Sequence, residues 1–128
     1  MSADRNGEFS AVSIVPAAAF ATNANSTGVD ISAFDGKLKL NYDVGALTAG
    51  DNDSTYTGVV YTSDELSANY TAASNVSNIS AANIAVFGSV IADTRALKKY
   101  IRINSNKSGT NSPSRSISIV AFGKLKYS

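Results

Sequence analysis

The sequence predicts an all-β fold, an antiparallel β-sandwich or jelly-roll-like single domain with an N-terminal arm, and three observations carry that expectation. Apolar and polar residues alternate with period two in several segments, as they do on a sheet with one wet and one buried face. Clusters of Gly, Asn, Asp, Ser and Thr separate those segments at short intervals. Charged residues make up only 16% of the chain, against about 25% in ordinary soluble domains. Polarity comes instead from Ser, Thr and Asn, poor helix formers whose short side chains compete for backbone hydrogen bonds. At 128 residues one hydrophobic core suffices.

Residues 1–28 read as an N-terminal arm holding one strand, over 9–15, and residues 29–128 as the sandwich domain. A helical turn is a candidate over 16–22, followed by a turn at 23–28 and a strand over 29–33. Asp35-Gly36 reads as a turn. The clearest strand is Lys37-Leu38-Lys39-Leu40-Asn41-Tyr42-Asp43-Val44, apolar at every even position and polar at every odd one. A second turn cluster at 48–54 leads to a strand over 56–62. Ser63 is a possible N-cap for a helix over 64–73, but Asn69, Tyr70 and Thr71 are weak helix formers, so one turn at most is expected. The strand over 84–91 is apolar enough to lie centrally in a sheet. Half-buried strands follow over 97–103, with Ile101 and Ile103 inward and Tyr100 and Arg102 outward, and over 116–119, with a loop at 104–113 between them.

A net charge of +1 supplies no field to draw the chain onto nucleic acid or an anionic membrane, and neither is expected as a partner. The absence of cysteine excludes disulfides and thiolate chemistry, leaving packing or oligomerisation to provide stability. Residues 9–24 faintly resemble a secretory h-region. Asp4 and Glu8 outweigh Arg5, and serines and Pro16 interrupt the apolar run, so an arm containing a strand is the preferred reading. No run reaches the ~18 apolar residues needed to span a bilayer.

The chain also lacks histidine, which removes the usual general base, proton shuttle and commonest transition-metal ligand together. Asp51-Asn52-Asp53-Ser54-Thr55 places oxygen ligands at alternate positions, yet has neither the glycine nor the closing glutamate of a calcium loop. Carboxylate pairs could serve a glycosidase, but the sugar cleft of such an enzyme is usually lined with Trp, and there is none. Neither G-x-G-x-x-G after a strand nor a P-loop occurs. Lys98, Lys99, Arg102, Lys107 and Arg115, with Tyr100, could form a basic aromatic strip, and are read as a solvated or protein-facing one. The Asn-x-Ser/Thr triplets are those that chance places in such a composition. No catalytic, cofactor-binding or metal-ligating residue is therefore assigned, no cofactor is expected, and the chain is read as a non-enzyme. Its candidate interface residues are Phe9 and Phe20 in the arm and Tyr100 and Arg102 on the later strand.

Four segments carry a resemblance over most of the chain: Ile31-Ser32-Ala33-Phe34-Asp35-Gly36-Lys37-Leu38-Lys39-Leu40, Val59-Val60-Tyr61-Thr62-Ser63-Asp64, Asp93-Thr94-Arg95-Ala96-Leu97-Lys98-Lys99-Tyr100-Ile101-Arg102, and the closing 116–122 with Gly123-Lys124. In this order they resemble small tailed-bacteriophage virion structural proteins of the capsid decoration, or cement, type. The resemblance implies a β-sandwich or jelly-roll domain that self-associates as a dimer or trimer. It also implies that the chain is made in the host cytoplasm and bridges major capsid protein subunits on the virion surface. No functional residue carries over, since the shared motifs are structural. Two departures stand out: the Asn/Ser-rich insert at 68–83 is longer than expected, and the first 29 residues have no counterpart. A phage neck or tail protein fits the same features. So does a carbohydrate-binding sandwich on a virion surface, with Tyr42, Tyr56, Tyr61 or Tyr70 as stacking platforms and a loop cation near Asp51 and Asp53.

Overall fold

In the computed structural model the described residues are 9–20, 23–45, 55–74, 76–82, 85–108 and 115–126. They form strands β1 (Phe9–Phe20), β2 (Ala24–Asn25), β3 (Val29–Asp30), β4 (Phe34–Val44), β5 (Thr55–Ser63), β6 (Thr71–Ala72), β7 (Ile79–Ala81), β8 (Val86–Asp93), β9 (Tyr100–Ser108) and β10 (Arg115–Leu125), with a 3-10 turn at Thr94–Ala96. One sheet has the order β1-β10-β4-β8. In the other, β9 and β5 are central, β2 and β3 share the outer edge of β9, and β6 and β7 share that of β5. Every pair is antiparallel. The pairing is nested: β1 with β10, β2 and β3 with β9, β4 with β8, and β5 with β6 and β7. That hairpin ribbon is rolled so that β10 meets β4 and β9 meets β5. With each split edge counted as one strand, this is the eight-stranded double-sheet jelly roll.

Side-chain alternation decides which face of each sheet is dry. On β4, Phe34, Leu38, Leu40 and Val44 are buried while Asp35, Lys37, Lys39 and Asp43 face water. On β10, Ile117, Ile119 and Ala121 point the same way as these. The facing sheet contributes Tyr56, Val60, Ile79, Ala81, Ile101 and Ile103, and the two sets interleave in one continuous core with Ile14 and Ile31. Burying a side chain of this size stabilises by about 1.5–3 kcal/mol. Some buried polar groups pair with one another: the Tyr56 hydroxyl and Ser105 Oγ share a hydrogen bond of 2.8 Å, whereas Arg102 Nε is buried without a hydrogen-bond partner. Thr62 Oγ1 donates to the Tyr100 carbonyl and accepts the Lys98 N–H.

Local expectations fail where long-range pairing outweighs them. The helical turn expected over 16–22 is strand as far as Phe20, because Ala18, Ala19 and Phe20 pair with Ile117, Ser116 and Arg115. Pro16 falls in a register shift of this edge strand, where its missing N–H costs little. Thus β1 lies within the stretch read as an arm and pairs with β10 of its own chain. Asp35-Gly36 is not a turn but a bulge inside β4, where the register slips between Phe122 and Lys124. Gly36 has φ of +75° there, a backbone conformation that a Cβ disfavours.

The helix candidate over 64–73, expected to reach one turn at most, forms no helical turn. Ser63 does cap, accepting the Glu65 N–H at 3.0 Å, but its hydroxyl also donates to the Ala68 carbonyl and closes a loop of bends. Asn69 then enters the left-handed region, φ 60°, and Thr71 and Ala72 are captured by β5. The strand expected over 29–33 stops at Asp30, whose carboxylate accepts from the Ser32 N–H and hydroxyl. The strand expected from 97 starts at Tyr100 instead, because Asp93 accepts the Arg95 N–H and caps the 3-10 turn. The turn cluster at 48–54 lies outside the described residues, as does the end of the loop read at 104–113, whose beginning continues β9.

Candidate functional site

The two outer faces of the sandwich differ in chemistry. On the sheet β1-β10-β4-β8 the register aligns Ala11, Phe122, Lys39 and Ile91 across all four strands, and Ser118, Asp43 and Phe87 across three. Neighbouring strands are ~4.8 Å apart and alternate residues ~6.8 Å, so these side chains share one outer face, with Lys39 between Phe122 and Ile91 and Ser89 between Ile91 and Phe87. Its aromatic and aliphatic members are exposed: Phe9 76%, Phe87 86%, Ile91 49% and Phe122 41%. Of the large exposed hydrophobics among the described residues, one alone, Leu66, lies elsewhere. Lys37, Lys39, Lys124, Asp35 and Asp43 rim and punctuate this face.

The strand that contributes most was misplaced by sequence reasoning. Read as central, it lies at an edge: β8 pairs with β4 through all eight of its residues and with no other described strand. Val86 and Val90 cover the core from one face. Phe87 and Ile91 therefore project into solvent from the other. The signal was present in apolar residues at both parities, but strand rank in a sheet depends on partners far away in sequence.

The opposite outer face is polar and occupied by its own contacts. Asn104 Nδ2 donates to Asn25 Oδ1 at 2.7 Å, and Asn106 Nδ2 donates to Asn104 Oδ1. The Tyr70 ring lies on the Arg102 guanidinium, 4.0 Å from its centroid, and the Tyr70 hydroxyl donates to the Leu66 carbonyl. Lys99 Nζ sits 5.4 Å from the centre of the Tyr100 ring.

The chain matches no protein-family model and no curated protein. The residues picked from sequence do not make one site. Phe9 belongs to the apolar face, whereas Tyr100 and Arg102 are half-buried on the opposite one. Phe20 ends β1, with its side chain outside the described residues. Phe87, Ile91 and Phe122 were missed.

The basic strip does not assemble either. Arg102 faces outward, but Arg115 is buried in the interior, its Nε donating to the Gly45 carbonyl at 2.9 Å. Burial lowers its pKa, and burial pushes the Tyr56 phenol up. Among the proposed stacking tyrosines, Tyr56 is buried and bonded to Ser105, so it offers no platform; Tyr42 packs against the core and Tyr70 is engaged by Arg102. Asp51 and Asp53 lie outside the described residues, and no cluster of three potential metal ligands occurs among those described. An apolar cleft of about 420 Å³ opens between β1 and β2–β3, lined by Ile14, Val15, Val29 and Ile117 with no charged group. Nothing in it aligns a nucleophile with a base. What the described residues offer is a sandwich with one outer face on which Phe9, Phe87, Ile91 and Phe122 are exposed among lysines and aspartates.

Proposed function

We propose that this chain is a bacteriophage capsid decoration (cement) protein that self-associates and stabilises the shell by bridging major capsid protein subunits. The observation carrying the proposal is the clustering of Phe9, Phe87, Ile91 and Phe122 on one outer sheet face. Large apolar side chains exposed together on one face favour contact with another protein, and aromatic residues dominate the energy of such contacts. Lysines and aspartates among the apolar groups would fix orientation while the apolar groups provide adhesion. The jelly-roll fold is common in virion proteins but hosts other activities, so it supports the reading only by analogy. The resemblance of the four segments adds to it. On a lattice many copies act together, and modest single contacts suffice.

The test is to delete the coding sequence from the phage genome that carries it and heat the resulting particles. Loss of the protein lowers the temperature or osmotic stress at which heads rupture, and purified chain restores it. Phe122→Ser chain, folded but unable to dock, does not. Hundreds of copies per particle place it on the shell. A handful would assign it to the neck or tail and overturn the proposal, as would heads of unchanged strength.

A further inference from the structure

We infer that the edge of β8 that no described strand pairs pairs antiparallel with the β8 edge of a second copy of this chain, joining two four-stranded sheets into one. The pairing supplies a geometry for the self-association in the proposed function; it rests on that reading for its setting alone. An edge strand exposes a row of backbone donors and acceptors, and proteins usually blunt it with proline, charge, bulges or brevity. Three of the four sandwich edges here are blunted. β1 carries Pro16 and two register shifts, while β2, β3, β6 and β7 are only two or three residues long. β8 has none of these devices. It runs unbroken beside β4 for eight residues without Lys, Arg or Pro. Its one charge, Asp93 at the very end, is held by Arg95 at 2.8 Å.

The sequence of β8 has apolar residues at both parities, so its outward side carries Phe87 and Ile91 as well as the core side Val86 and Val90. It is also complementary to itself. With Ser89 on a two-fold axis, Phe87 of each copy stands opposite Ile91 of the other, and Ser89 opposite Ser89, on the outer face. On the core side Gly88 stands opposite Val90, and Val86 opposite Ala92. No two charges meet. The large Phe87 ring is matched by the smaller Ile91, and glycine by valine. The row Ala11, Phe122, Lys39 and Ile91 then continues across the junction onto Phe87 of the second copy, so the outer faces of the two chains join. A one-residue slip in register would bring inward-facing residues opposite outward-facing ones, so only even slips keep both faces, and the pairing of Phe87 with Ile91 selects the axis at Ser89.

The chain has no cysteine, so introduced thiols report without background. Ser89→Cys, at an exposed position, should give a disulfide-linked dimer under mild oxidation of the full chain. Phe87→Cys and Ile91→Cys should each fail to link to itself yet link to one another when mixed. Equivalent Phe87 positions would be about 13 Å apart along the strands, well beyond a disulfide's Cα separation of roughly 4.4–6.8 Å. Leu66→Cys, exposed on a distant loop, measures random collision. Phe87→Lys, which keeps the fold because its side chain faces water, should weaken dimerisation by about tenfold or more in light scattering. Cross-linking of Ser89→Cys no faster than Leu66→Cys, or a native chain that stays monomeric at every concentration, overturns the pairing. Heads that take up a monomeric chain sink the pairing and leave the virion reading standing, whereas a cross-linked dimer that leaves heads unaffected does the reverse.

Discussion

Leu40 and Phe87 lie on neighbouring strands of one sheet and face opposite ways, so trimming each should have opposite consequences. Leu40 is fully buried on the central strand β4, opposite Ala121 on one side and Val90 on the other. Leu40→Ala removes three carbons, worth roughly 2.4 kcal/mol at about 0.8 per buried methylene, and leaves a cavity that raises the cost to about 3–4 kcal/mol. For a domain of this length that lowers the melting temperature by roughly 10–15 °C. Phe87 is 86% exposed. Phe87→Thr replaces an aromatic strand former with a β-branched one and forfeits little buried area, so stability should change by less than about 0.5 kcal/mol while self-association and shell binding fall. Urea unfolding at low protein concentration measures the first effect without the stabilisation that association adds, and light scattering measures the second. Equal destabilisation by the two changes would mean that the faces of this sheet are assigned the wrong way round.

Other consequences are narrower. Tyr56→Phe removes the buried hydrogen bond to Ser105 and should cost about 1–2 kcal/mol by denaturant titration; an unchanged midpoint would show that bond to be worthless. Because burial raises the Tyr56 pKa above 10.0, the stability tied to that phenol is intact below about pH 10 and is lost as the pH rises further. Burial raises the Tyr70 phenol as well, so ultraviolet titration should find more than one tyrosine ionising late, and Tyr56→Phe should remove one of those steps. The Arg95 side chain and N–H hold the Asp93 carboxyl at about 2, below its usual 3.8. Its contribution is therefore present above about pH 4 and fades as the pH falls toward about 2, and Asp93→Asn should flatten that part of the acid-unfolding curve. Gly123→Ala would set a Cβ 2.6 Å from Leu38 Cδ2 and 2.7 Å from Phe34 Cδ1, overpacking the core by about 1–3 kcal/mol; a neutral result in thermal melts would show that these side chains yield freely.

What the sequence determined by itself were the properties that adjacent residues fix. Alternation in 37–44 set both the existence of β4 and its buried face, since a strand turns successive side chains to opposite sides whatever it pairs with. The same logic placed Ile101 and Ile103 inside, and composition alone pointed to β structure. Tertiary structure decided what depends on distant partners. Pro16 allows a turn in isolation, but β10 holds the chain extended past it; residues 64–73 begin with a working cap at Ser63, yet β5 and Arg102 claim their far end. Strand rank escaped sequence reasoning most completely. Residues 86–93 carry the apolar content of a central strand, and only the closing of the roll, through pairings more than 40 residues apart, left them at an edge with Phe87 and Ile91 bare. The face that bears Phe87 and Ile91 is thus written in short-range alternation but revealed by long-range order, because burial is a property of the whole assembly of strands and not of any one of them.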